Sequence, residues 1–425
     1  MTTNRVFFGW WVVASFAIMV FLSTGMRFTI GPFLKPIVAE LGLDRASFSL
    51  VIAVSLFLYG AFMPVVGWLV ERIGPRVVIV GGALVLGGSM AATGLVTQLW
   101  QLYIVYGVLF ALGLAATGHV VAAAIISRWF SRRRGTALST LGGASMAGMS
   151  LLVPVTMWLV LNVGWRVTYI VFGAIVSAVI VPLGLWVVRE TPESMGLTPD
   201  GLPVEPVAGR SGPVERTDVA LAVQSLAFWQ LSAGLFTCGF SMSLLSAHGV
   251  PMLTDHGYPP MLASWTFGVL GGSSMAFTMV LGAISDRLGR RPVLAWLYGT
   301  RALIFAALFL IRDHPAVLLG IAVLGGVSMA GSLAMTSALI ADIFGRFSVG
   351  SVFGSIFLMH QAGAALGSWL GGFFFEATGG YGAAFACASI ILLAASLVSM
   401  TIDEIPRGLV HGGPRRAPPA PLNAR

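Results

Sequence analysis

The chain reads Gly67-Trp-Leu-Val-Glu71-Arg72-Ile-Gly74-Pro-Arg76 at the end of one long apolar run, and Gly282-Ala-Ile-Ser-Asp286-Arg287-Leu-Gly289-Arg-Arg291 at the end of another. Glycine, acid, arginine, glycine and arginine recur at the same spacing, each 215 positions further on (282 − 67). A new apolar run follows each copy, so each copy is a short basic hairpin between two membrane spans. A repeat of this kind indicates a chain built from two similar halves.

Most of the chain is too apolar to face water. Of its 425 residues, 57% are hydrophobic and 9% are charged, whereas soluble domains carry about 25% charged residues. Apolar runs of about 18 or more residues indicate membrane-spanning helices. The sequence therefore predicts an all-α membrane protein with twelve transmembrane helices, at approximately 8–32, 47–70, 77–97, 100–127, 136–161, 166–188, 226–250, 262–285, 292–311, 316–341, 349–374 and 381–401.

The basic residues predict the orientation. Eighteen lysines and arginines fall on the side that holds both termini, and four fall on the opposite side: Lys35, Arg45, Arg166 and Arg312. Cytoplasmic loops carry the excess of Lys and Arg, so we expect a multi-pass protein of the plasma (inner) membrane with both termini in the cytoplasm. The net charge of +8 then reflects topology and contact with membrane lipid, and gives no reason to expect a nucleic-acid partner.

Changes in amino-acid composition along the chain predict four regions. An N-terminal six-helix bundle covers 1–188, a Pro- and Gly-rich cytoplasmic linker covers 189–225, a C-terminal six-helix bundle covers 226–402, and a Pro- and Arg-rich cytoplasmic tail, predicted to be disordered, covers 403–425. Because six spans separate the two hairpins, both halves have the same orientation and are related by an axis along the membrane normal. A solute site is then expected between the halves, near the membrane midplane.

The twin Gly-x-x-x-Asp/Glu-Arg-x-Gly-x-Arg hairpins resemble the signature loops of the major facilitator superfamily. The resemblance implies two pseudo-symmetric six-helix bundles and transport by alternating access. Within that superfamily, Trp129-Phe130-Ser-Arg132-Arg133-Arg134 with Ala144-Ser145-Met-Ala-Gly148, and the opening Phe8-Gly9-Trp10-Trp11, resemble motifs of the monocarboxylate transporter branch, to which the oxalate-formate exchangers are similar.

The hairpins are expected to act in gating. Glu71 or Asp286, at a helix end, can pair with arginines of the hairpin or of neighbouring spans and close the cytoplasmic side in one conformation. The alternative is that the hairpin arginines only fix the topology. The residues assigned to this motif are Gly67, Glu71, Arg72, Gly74 and Arg76 in the first copy, and Gly282, Asp286, Arg287, Gly289 and Arg291 in the second.

Two arginines, Arg27 and Arg301, fall inside the predicted spans. A charge at the bilayer centre costs about 2.5–3.5 kcal/mol on insertion scales and by default suggests function. Arg27 lies about 28 Å along the first span from Phe8, and the resemblance implies a carboxylate-binding cation near this point; the alternative is an arginine that reaches the outer headgroups. For Arg301, in the ninth span, a structural arginine bonded to backbone carbonyls or to Tyr298 is the preferred interpretation, and binding is the alternative.

No aspartate or glutamate lies in the interior of a predicted span, which favours an anionic solute over a cationic one. The resemblance places a carboxylate-binding arginine at Thr278 and an acidic partner at Ser274, so this chain lacks that arginine. We expect two intramembrane histidines, His119 and His360, to compensate, with Gln361, Thr278 and Ser274 as polar partners; His360 falls where the exchangers carry a cavity lysine. The alternative is neutral imidazoles bonded to neighbouring helices.

The sequence thus predicts a secondary active transporter of a small, monocarboxylate-like organic anion, with protons as a possible co-transported ion. No phosphate-binding loop, metal cluster or nucleophile constellation is present in the sequence, so we expect neither an enzyme nor a cofactor. A monomer is expected. Two alternatives stay open: an exporter of hydrophobic compounds, and a membrane sensor that does not transport. The Gly363, Gly367 and Gly371 ladder is expected to serve close helix packing.

Overall fold

The structure is a computed structural model, and it describes residues 7–130, 133–189, 191–198, 217–310, 315–329, 331–345 and 349–403. Within these ranges the chain forms helices and no β-strand. The tail, apart from Asp403, and the linker from 199 to 216 lie outside the described residues.

The helices follow one another along the chain with short connections. A π-helical segment, Tyr103–Phe110, joins α5 to α6, and a 3₁₀ turn, Pro192–Met195, follows α8. The described helices are α1 Phe8–Phe28, α2 Ile30–Leu41, α3 Arg45–Ile73, α4 Pro75–Thr93, α5 Leu99–Leu102, α6 Ala111–Thr117, α7 His119–Trp129, α8 Arg134–Trp186, α9 Val219–Ala222, α10 Leu226–Asp255, α11 Pro260–Leu288, α12 Arg290–Leu310, α13 Pro315–Met329, α14 Ser332–Phe344, α15 Val349–Thr378 and α16 Gly382–Met400.

Several predicted spans are interrupted rather than continuous. The first breaks at Thr29 and continues as α2, the fourth contains the π-helical segment and a break at Gly118, and the tenth breaks at Gly331, where φ is 74°. The fifth and sixth run together as α8 and turn at Gly164, where φ is 81°. Among the described residues, eight helical stretches are long and apolar enough to cross a membrane by length and composition alone. The fifth and sixth predicted spans count once, as α8, and α11, α12 and α15 are not among the eight.

Two hydrophobic cores occupy the two halves. One is built mainly from α1–α8 and includes Phe16, Phe110 and Trp129; the other is built mainly from α10–α16 and includes Phe240 and Phe305. The halves meet where α3 packs on α15, α8 on α11, and α2 on α10. Any site between the halves must therefore be lined from these helices and their neighbours.

The glycine ladder of α15 lets this helix approach α10 backbone to backbone. A Cβ at Gly363 would lie 2.0 Å from the Phe236 carbonyl oxygen, and one at Gly367 would lie 2.3 Å from the Phe240 carbonyl oxygen. Contacts this short have no room for a methyl group. The packing role predicted for these two glycines is what the structure shows.

The two sequence stretches that resemble the monocarboxylate branch pack against each other. Phe7 contacts the rings of Trp129 and Phe130 at centroid distances of 6.0 and 5.7 Å, and Trp10 contacts Phe130 at 5.0 Å. The Trp129 indole also donates to the Arg189 carbonyl, at 3.1 Å. This aromatic cluster joins the start of α1, the end of α7 and the chain that leaves α8.

Candidate functional site

The two hairpins turn on glycines in the left-handed region. Gly74 has φ 83° between α3 and α4, and Gly289 has φ 87° between α11 and α12. A side chain at either position would be strained, which explains why glycine recurs there. Arg72 stacks on Trp68 at 4.6 Å and Arg287 is exposed.

The last arginine of each hairpin makes an equivalent contact in its own half. Arg76 donates to the carbonyl of Val188, just after the sixth span, and Arg291 donates to the carbonyl of Ile402, just after the twelfth. In each half, this hydrogen bond connects the hairpin to the residues that follow the last helix of the bundle. The side chains of Glu71 and Asp286 lie outside the described part of the structure, so gating by these acids stays a prediction.

At the opposite end of the bundles, a group of charged side chains joins the two halves. Arg45 donates to Asp255, at 2.6 Å, and to the Tyr381 hydroxyl, at 2.6 Å, while Lys35 pairs with Asp255 at 2.6 Å. The Arg45 backbone N–H also donates to Glu376, at 2.9 Å. We call this end, defined by Lys35, Arg45, Asp255, Glu376 and Tyr381, the sealed end.

The protonation of Tyr381 suits its place in the sealed end. Burial raises the pKa of Tyr381 to about 12, although the neighbouring Arg45 opposes this shift. The phenol therefore stays protonated at neutral pH and accepts from Arg45 as a neutral group. A second ion pair on this side, Glu40–Arg166 at 2.7 Å, lies within the first half only. Hydrogen bonds from Arg166 and then Trp165 hold the pKa of Glu40 below its usual value.

The close backbone contacts between the two halves also lie toward the sealed end. A Cβ at Gly31 would lie 2.7 Å from the Ser246 carbonyl, and one at Gly268 would lie 2.8 Å from the Ser150 carbonyl. Nearer the hairpins, no atom outside the local helix backbone comes within 4 Å of a Cβ added at Gly67, Gly142 or Gly354. The described residues thus show halves that are in contact from the middle to the sealed end.

Arg27 lies in a cavity of the first half that Ser246 of the second half also lines, which we call the Arg27 cavity. Helix α1 ends at Phe28, and after the break at Thr29 helix α2 packs on α10. The guanidinium carbon lies 5.5 Å from the centre of the Tyr59 ring and makes no hydrogen bond to a described residue. The cavity is small, with a volume of about 10 Å³ or room for about one water molecule, and is lined by Arg27, Ile30, Ile52, Ser55, Leu56, Tyr59, Tyr106, Phe110, Leu114 and Ser246.

His360 and Gln361 lie close to this cavity, on α15. The Gln361 amide donates to the carbonyl of Leu56, which lines the Arg27 cavity, at 3.4 Å. The His360 Nδ1 lies 2.9 Å from the Gln361 side-chain oxygen, and a carbonyl oxygen only accepts, so this assignment places a proton on Nδ1. The buried Nε2 of His360 has no partner among the described residues.

Arg301 is fully buried within the second half, away from the cavity lining. Its guanidinium donates to the Ser328 carbonyl at 2.7 Å and lies 3.2 Å from the Cys238 sulfur. Its guanidinium carbon lies 5.9 Å from the Tyr298 ring centre. These partners fit the structural interpretation of Arg301.

The remaining predicted site residues do not line the Arg27 cavity. His119 begins α7 just after the Gly118 break, and it makes no hydrogen bond to a described residue. Thr278 donates to the Ser274 carbonyl at 2.7 Å, and Ser274 is buried with an unpartnered hydroxyl. Among the predicted site residues, Arg27 alone lines the cavity and Gln361 contacts its wall through the Leu56 carbonyl; His360, Thr278 and Ser274 are not among the lining residues.

The sequence interpretation missed Tyr59 and Tyr106. Each is a single aromatic residue within an apolar run, where it is typical of a packed core. The signal that could have found them is the spacing of Tyr106 and Phe110, four residues apart, with a tyrosine in the facing span.

The comparisons with known proteins agree with one another. A family model described as Major Facilitator Superfamily matches residues 16–313 and 231–424. The MFS-type transporter YcxA of Bacillus subtilis (strain 168) is 29% identical over 358 residues, which cover 82% of this chain and 84% of that protein. Monocarboxylate transporter 13 of Bos taurus is 26% identical over 93% of this chain and 89% of that protein. Monocarboxylate transporter 11 of Homo sapiens is 26% identical over 96% of this chain and 85% of that protein.

Among solved structures, a bacterial homologue of the human lysosomal transporter Spinster, in an inward-facing and unoccupied conformation, superposes with a TM-score of 0.70. It is 17% identical and the match covers 93% of this chain and 95% of that one, so it shows the fold alone. Together the matches confirm the fold class and the resemblance predicted from the sequence, and the relatives are transporters rather than enzymes.

Proposed function

Because the chain belongs to the major facilitator superfamily, a family of membrane transporters, we propose that it is a secondary active transporter that carries a small, monocarboxylate-like organic anion by alternating access. The observation that carries the proposal is Arg27. Its guanidinium lies in a cavity of the first half that Ser246 of the second half closes, with no hydrogen bond to a described residue. The relatives named monocarboxylate transporters support the same class of solute.

The charge of Arg27 favours an anionic solute. A guanidinium inside a membrane protein needs a counter-charge or strong hydrogen-bond acceptors, and no aspartate or glutamate lines the described cavity. A carboxylate from a bound solute supplies both, through short charge-assisted hydrogen bonds that the planar guanidinium suits. A cationic solute would add to the positive charge instead.

The proposal includes the topology. With both termini in the cytoplasm of a plasma-membrane protein, the sealed end faces outward and the hairpins face inward. The closed sealed end then corresponds to a conformation that opens toward the cytoplasm. The bundles at 1–188 and 226–402 would rock about the Arg27 cavity, with the linker at 189–225 between them. Gln361, which bonds to Leu56 of the other half, would break this contact as the halves separate.

Two titratable side chains are available for coupling to protons. His360 presents an unpartnered, buried Nε2 beside Gln361, and His119 makes no hydrogen bond to a described residue. Coupling to protons through one of these imidazoles is part of the proposal. The hydroxyls of Ser274 and Thr278 lie on α11, outside the cavity lining, and in this proposal they contact the solute only in another conformation.

An exporter of hydrophobic compounds is the second candidate, since Ile30, Ile52, Leu56 and Leu114 make much of the cavity wall apolar. The two candidates differ in their need for Arg27. An exporter of neutral compounds gains nothing from a guanidinium in its cavity.

The test is uptake of radiolabelled monocarboxylates into proteoliposomes, with and without a pH gradient, by the protein and by Arg27→Gln and Arg27→Lys. Loss of a charge-assisted pair should lower affinity by about 1.5–3 kcal/mol, or roughly ten- to a hundredfold. Arg27→Gln should show this loss, and Arg27→Lys, which keeps the charge, should retain part of the uptake. Equal uptake by the protein and Arg27→Gln, with both variants monodisperse, would contradict the proposal.

A further inference from the structure

A buried cysteine of the second half lies beside a buried arginine and a buried histidine. We propose that Cys238 and His360 form the proton-binding site of the transporter, with the Cys238 thiolate as the counter-charge of Arg301. This inference rests on the proposed function. It names the side chains that bind the co-transported proton, and it selects His360 over His119.

Arg301 is a fully buried cation without a carboxylate among its described partners. A guanidinium in an apolar interior needs a counter-charge. Its hydrogen-bond partners are the Ser328 carbonyl at 2.7 Å, the Cys238 sulfur at 3.2 Å, and the hydroxyls of Ser241 and Ser332 at 3.4 and 3.5 Å. Among these partners, the Cys238 thiol is the group that can become an anion. The contacts of Arg301 therefore favour a thiolate at Cys238.

The other neighbours of the Cys238 sulfur also suit a thiolate. The Ser332 hydroxyl of α14, at 3.3 Å, can donate to the sulfur together with the Arg301 guanidinium. The titratable and charged groups beside Cys238 on the neighbouring helices are Arg301 and Tyr298 on α12 and His360 on α15. None of these described neighbours is acidic, so no second anion opposes ionisation of the thiol.

His360 offers a ring nitrogen without a partner to the same site. Its Nδ1 bonds to the Gln361 side-chain oxygen at 2.9 Å, so Nε2 is the nitrogen left for another group. Nε2 is buried and has no hydrogen-bond partner among the described residues. The helices touch at this level, since a Cβ at Gly239 would lie 1.9 Å from the His360 carbonyl oxygen. An imidazole beside a cysteine can share one proton with the sulfur.

The cluster has two charge states that differ by one proton. With Cys238 ionised and His360 neutral, the thiolate balances Arg301 and the cluster has no net charge. An added proton forms a thiol at the sulfur, or an imidazolium at Nε2 beside the thiolate, and either form carries one net positive charge. Proton relays inside membranes are commonly built from Asp, Glu and His. In this proposal Cys238 takes the place of the carboxylate.

His360 connects the proton site to the first half. Gln361 accepts from its Nδ1 and donates to the Leu56 carbonyl of α3, at 3.4 Å. Helix α3 packs on α15, and its tyrosine, Tyr59, lies beside Arg27. Rocking that breaks the bond between Gln361 and Leu56 changes the surroundings of the imidazole. The proton then enters and leaves through His360 while the halves are apart, and it is held while they are closed.

Ultraviolet absorbance of the thiolate tests the site without any solute. The difference between the purified, full-length protein and Cys238→Ser, recorded across a pH series, isolates the contribution of Cys238. We expect a thiolate signal at neutral pH that is lost on acidification. Cys387→Ser is the matched control, because Cys387 is a half-buried cysteine of α16 and is not a hydrogen-bond partner of Arg301. Its difference spectrum should show no thiolate at neutral pH.

Arg301→Met tests the cause of the ionisation. The variant is measured well below its midpoint of thermal unfolding, again as a difference from the same protein with Cys238→Ser. Loss of the counter-charge should move the appearance of the thiolate signal to more alkaline pH. An unshifted signal would overturn the ion pair.

Proteoliposomes test the coupling, with radiolabelled lactate or pyruvate, whichever shows the larger Arg27-dependent uptake. A gradient of about one pH unit can drive up to about tenfold accumulation of an anion that moves with one proton. Cys238→Ser and His360→Gln should lower the ratio of uptake with and without the gradient to near one, while the remaining uptake still depends on Arg27. Cys387→Ser should keep the native ratio.

The outcomes separate this inference from the proposed function. Absence of a Cys238 thiolate signal at neutral pH, or a native ratio in Cys238→Ser, would overturn the proton site while an Arg27-dependent anion transporter stands. Native uptake that depends on Arg27 but not on the gradient would also overturn it. So would loss of the gradient effect in His119→Gln and not in His360→Gln. Equal uptake by the protein and Arg27→Gln would overturn the proposed function instead, even where the thiolate is detected.

Discussion

Arg301 lies inside the membrane, and its contacts favour a structural role over a role in transport. Its guanidinium is fully buried and donates to the Ser328 carbonyl at 2.7 Å. Helix α13 ends at Met329, one residue later, and the chain turns at Gly331 before α14. The last carbonyls of a helix lack partners within the helix and attract cations. Arg301 therefore caps the broken tenth span.

Replacing Arg301 should affect stability and spare solute affinity. In Arg301→Met the Ser328 carbonyl stays buried without its donor, and an unsatisfied buried acceptor costs about 1–3 kcal/mol. We expect a lower midpoint of thermal unfolding in detergent and an unchanged dissociation constant for the bound anion. Arg27→Gln should show the reverse, with weaker binding and a similar midpoint. An Arg301→Met protein that unfolds normally but does not bind would place Arg301 in the solute site.

Sequence reasoning found the charged members of the candidate site more readily than the aromatic ones. Arg27 stands out because an intramembrane charge is unfavourable without a reason. Tyr59 and Tyr106 do not stand out, because a tyrosine in an apolar run has the same sequence signature whether it packs in a core or faces a cavity. Their common location depends on the pairing of α3 with the π-helical segment, and no spacing rule within one span predicts a contact between two spans.

At the scale of elements, the approach of α10 and α15 depends on the absence of side chains. A Cβ at Gly363 would lie 2.0 Å from the carbonyl oxygen of Phe236, and backbone atoms cannot move aside as a flexible side chain can. Gly363→Ala should therefore separate the two helices and lower the midpoint of thermal unfolding by several degrees, an effect typical of overpacking by about 1–3 kcal/mol.

A glycine on the same helix supplies the control for this packing prediction. No atom of a described residue in another element lies within 4 Å of a Cβ added at Gly354, so Gly354→Ala should leave the midpoint unchanged or raise it slightly through better helix propensity. A fluorescence-monitored melt of both variants is sufficient. A Gly354→Ala protein as destabilised as Gly363→Ala would show that α15 tolerates no added side chain, and the close approach would not be the cause.

The helices themselves could be predicted better than their interruptions. Hydropathy places the spans because length and apolarity are properties of the sequence alone. The breaks at Thr29, Gly118 and Gly331 depend on which neighbouring helix offers a contact, as Ser246 does near Gly31. Glycine permits such a break but does not require one, since 53 glycines are spread along the chain.

At the scale of the whole molecule, the charged groups of the sealed end hold the two halves together. Asp255 of the second half binds both Lys35 and Arg45 of the first. Such contacts must break if the halves rock apart at this end. Exposed ion pairs contribute only about 0–1 kcal/mol each, so the sealed end can open without a large barrier. The pairing of these residues could not be predicted, because their separations along the chain exceed any local rule.

Asp255→Asn should shift the protein toward a conformation that is open at the sealed end. Removing both ion pairs at once should change the balance between the two conformations by about 1 kcal/mol, or roughly fivefold. Hydrogen–deuterium exchange of the first turns of α3 and the last turns of α10 measures this, with faster exchange expected in the variant.

Glu40→Gln is the matched control for the sealed end, since Glu40 also forms an ion pair on this side of the molecule, yet with Arg166 of its own half. Rocking of the halves leaves a pair within one half intact, so this variant should change exchange only around α2 and the Arg166 contact. If the two variants altered exchange at α3 and α10 equally, general loss of charge would explain the effect. If neither did, the backbone contacts at Gly31 and Gly268 would be sufficient to hold the sealed end, and the ion pairs would set only the alignment of the halves as they close.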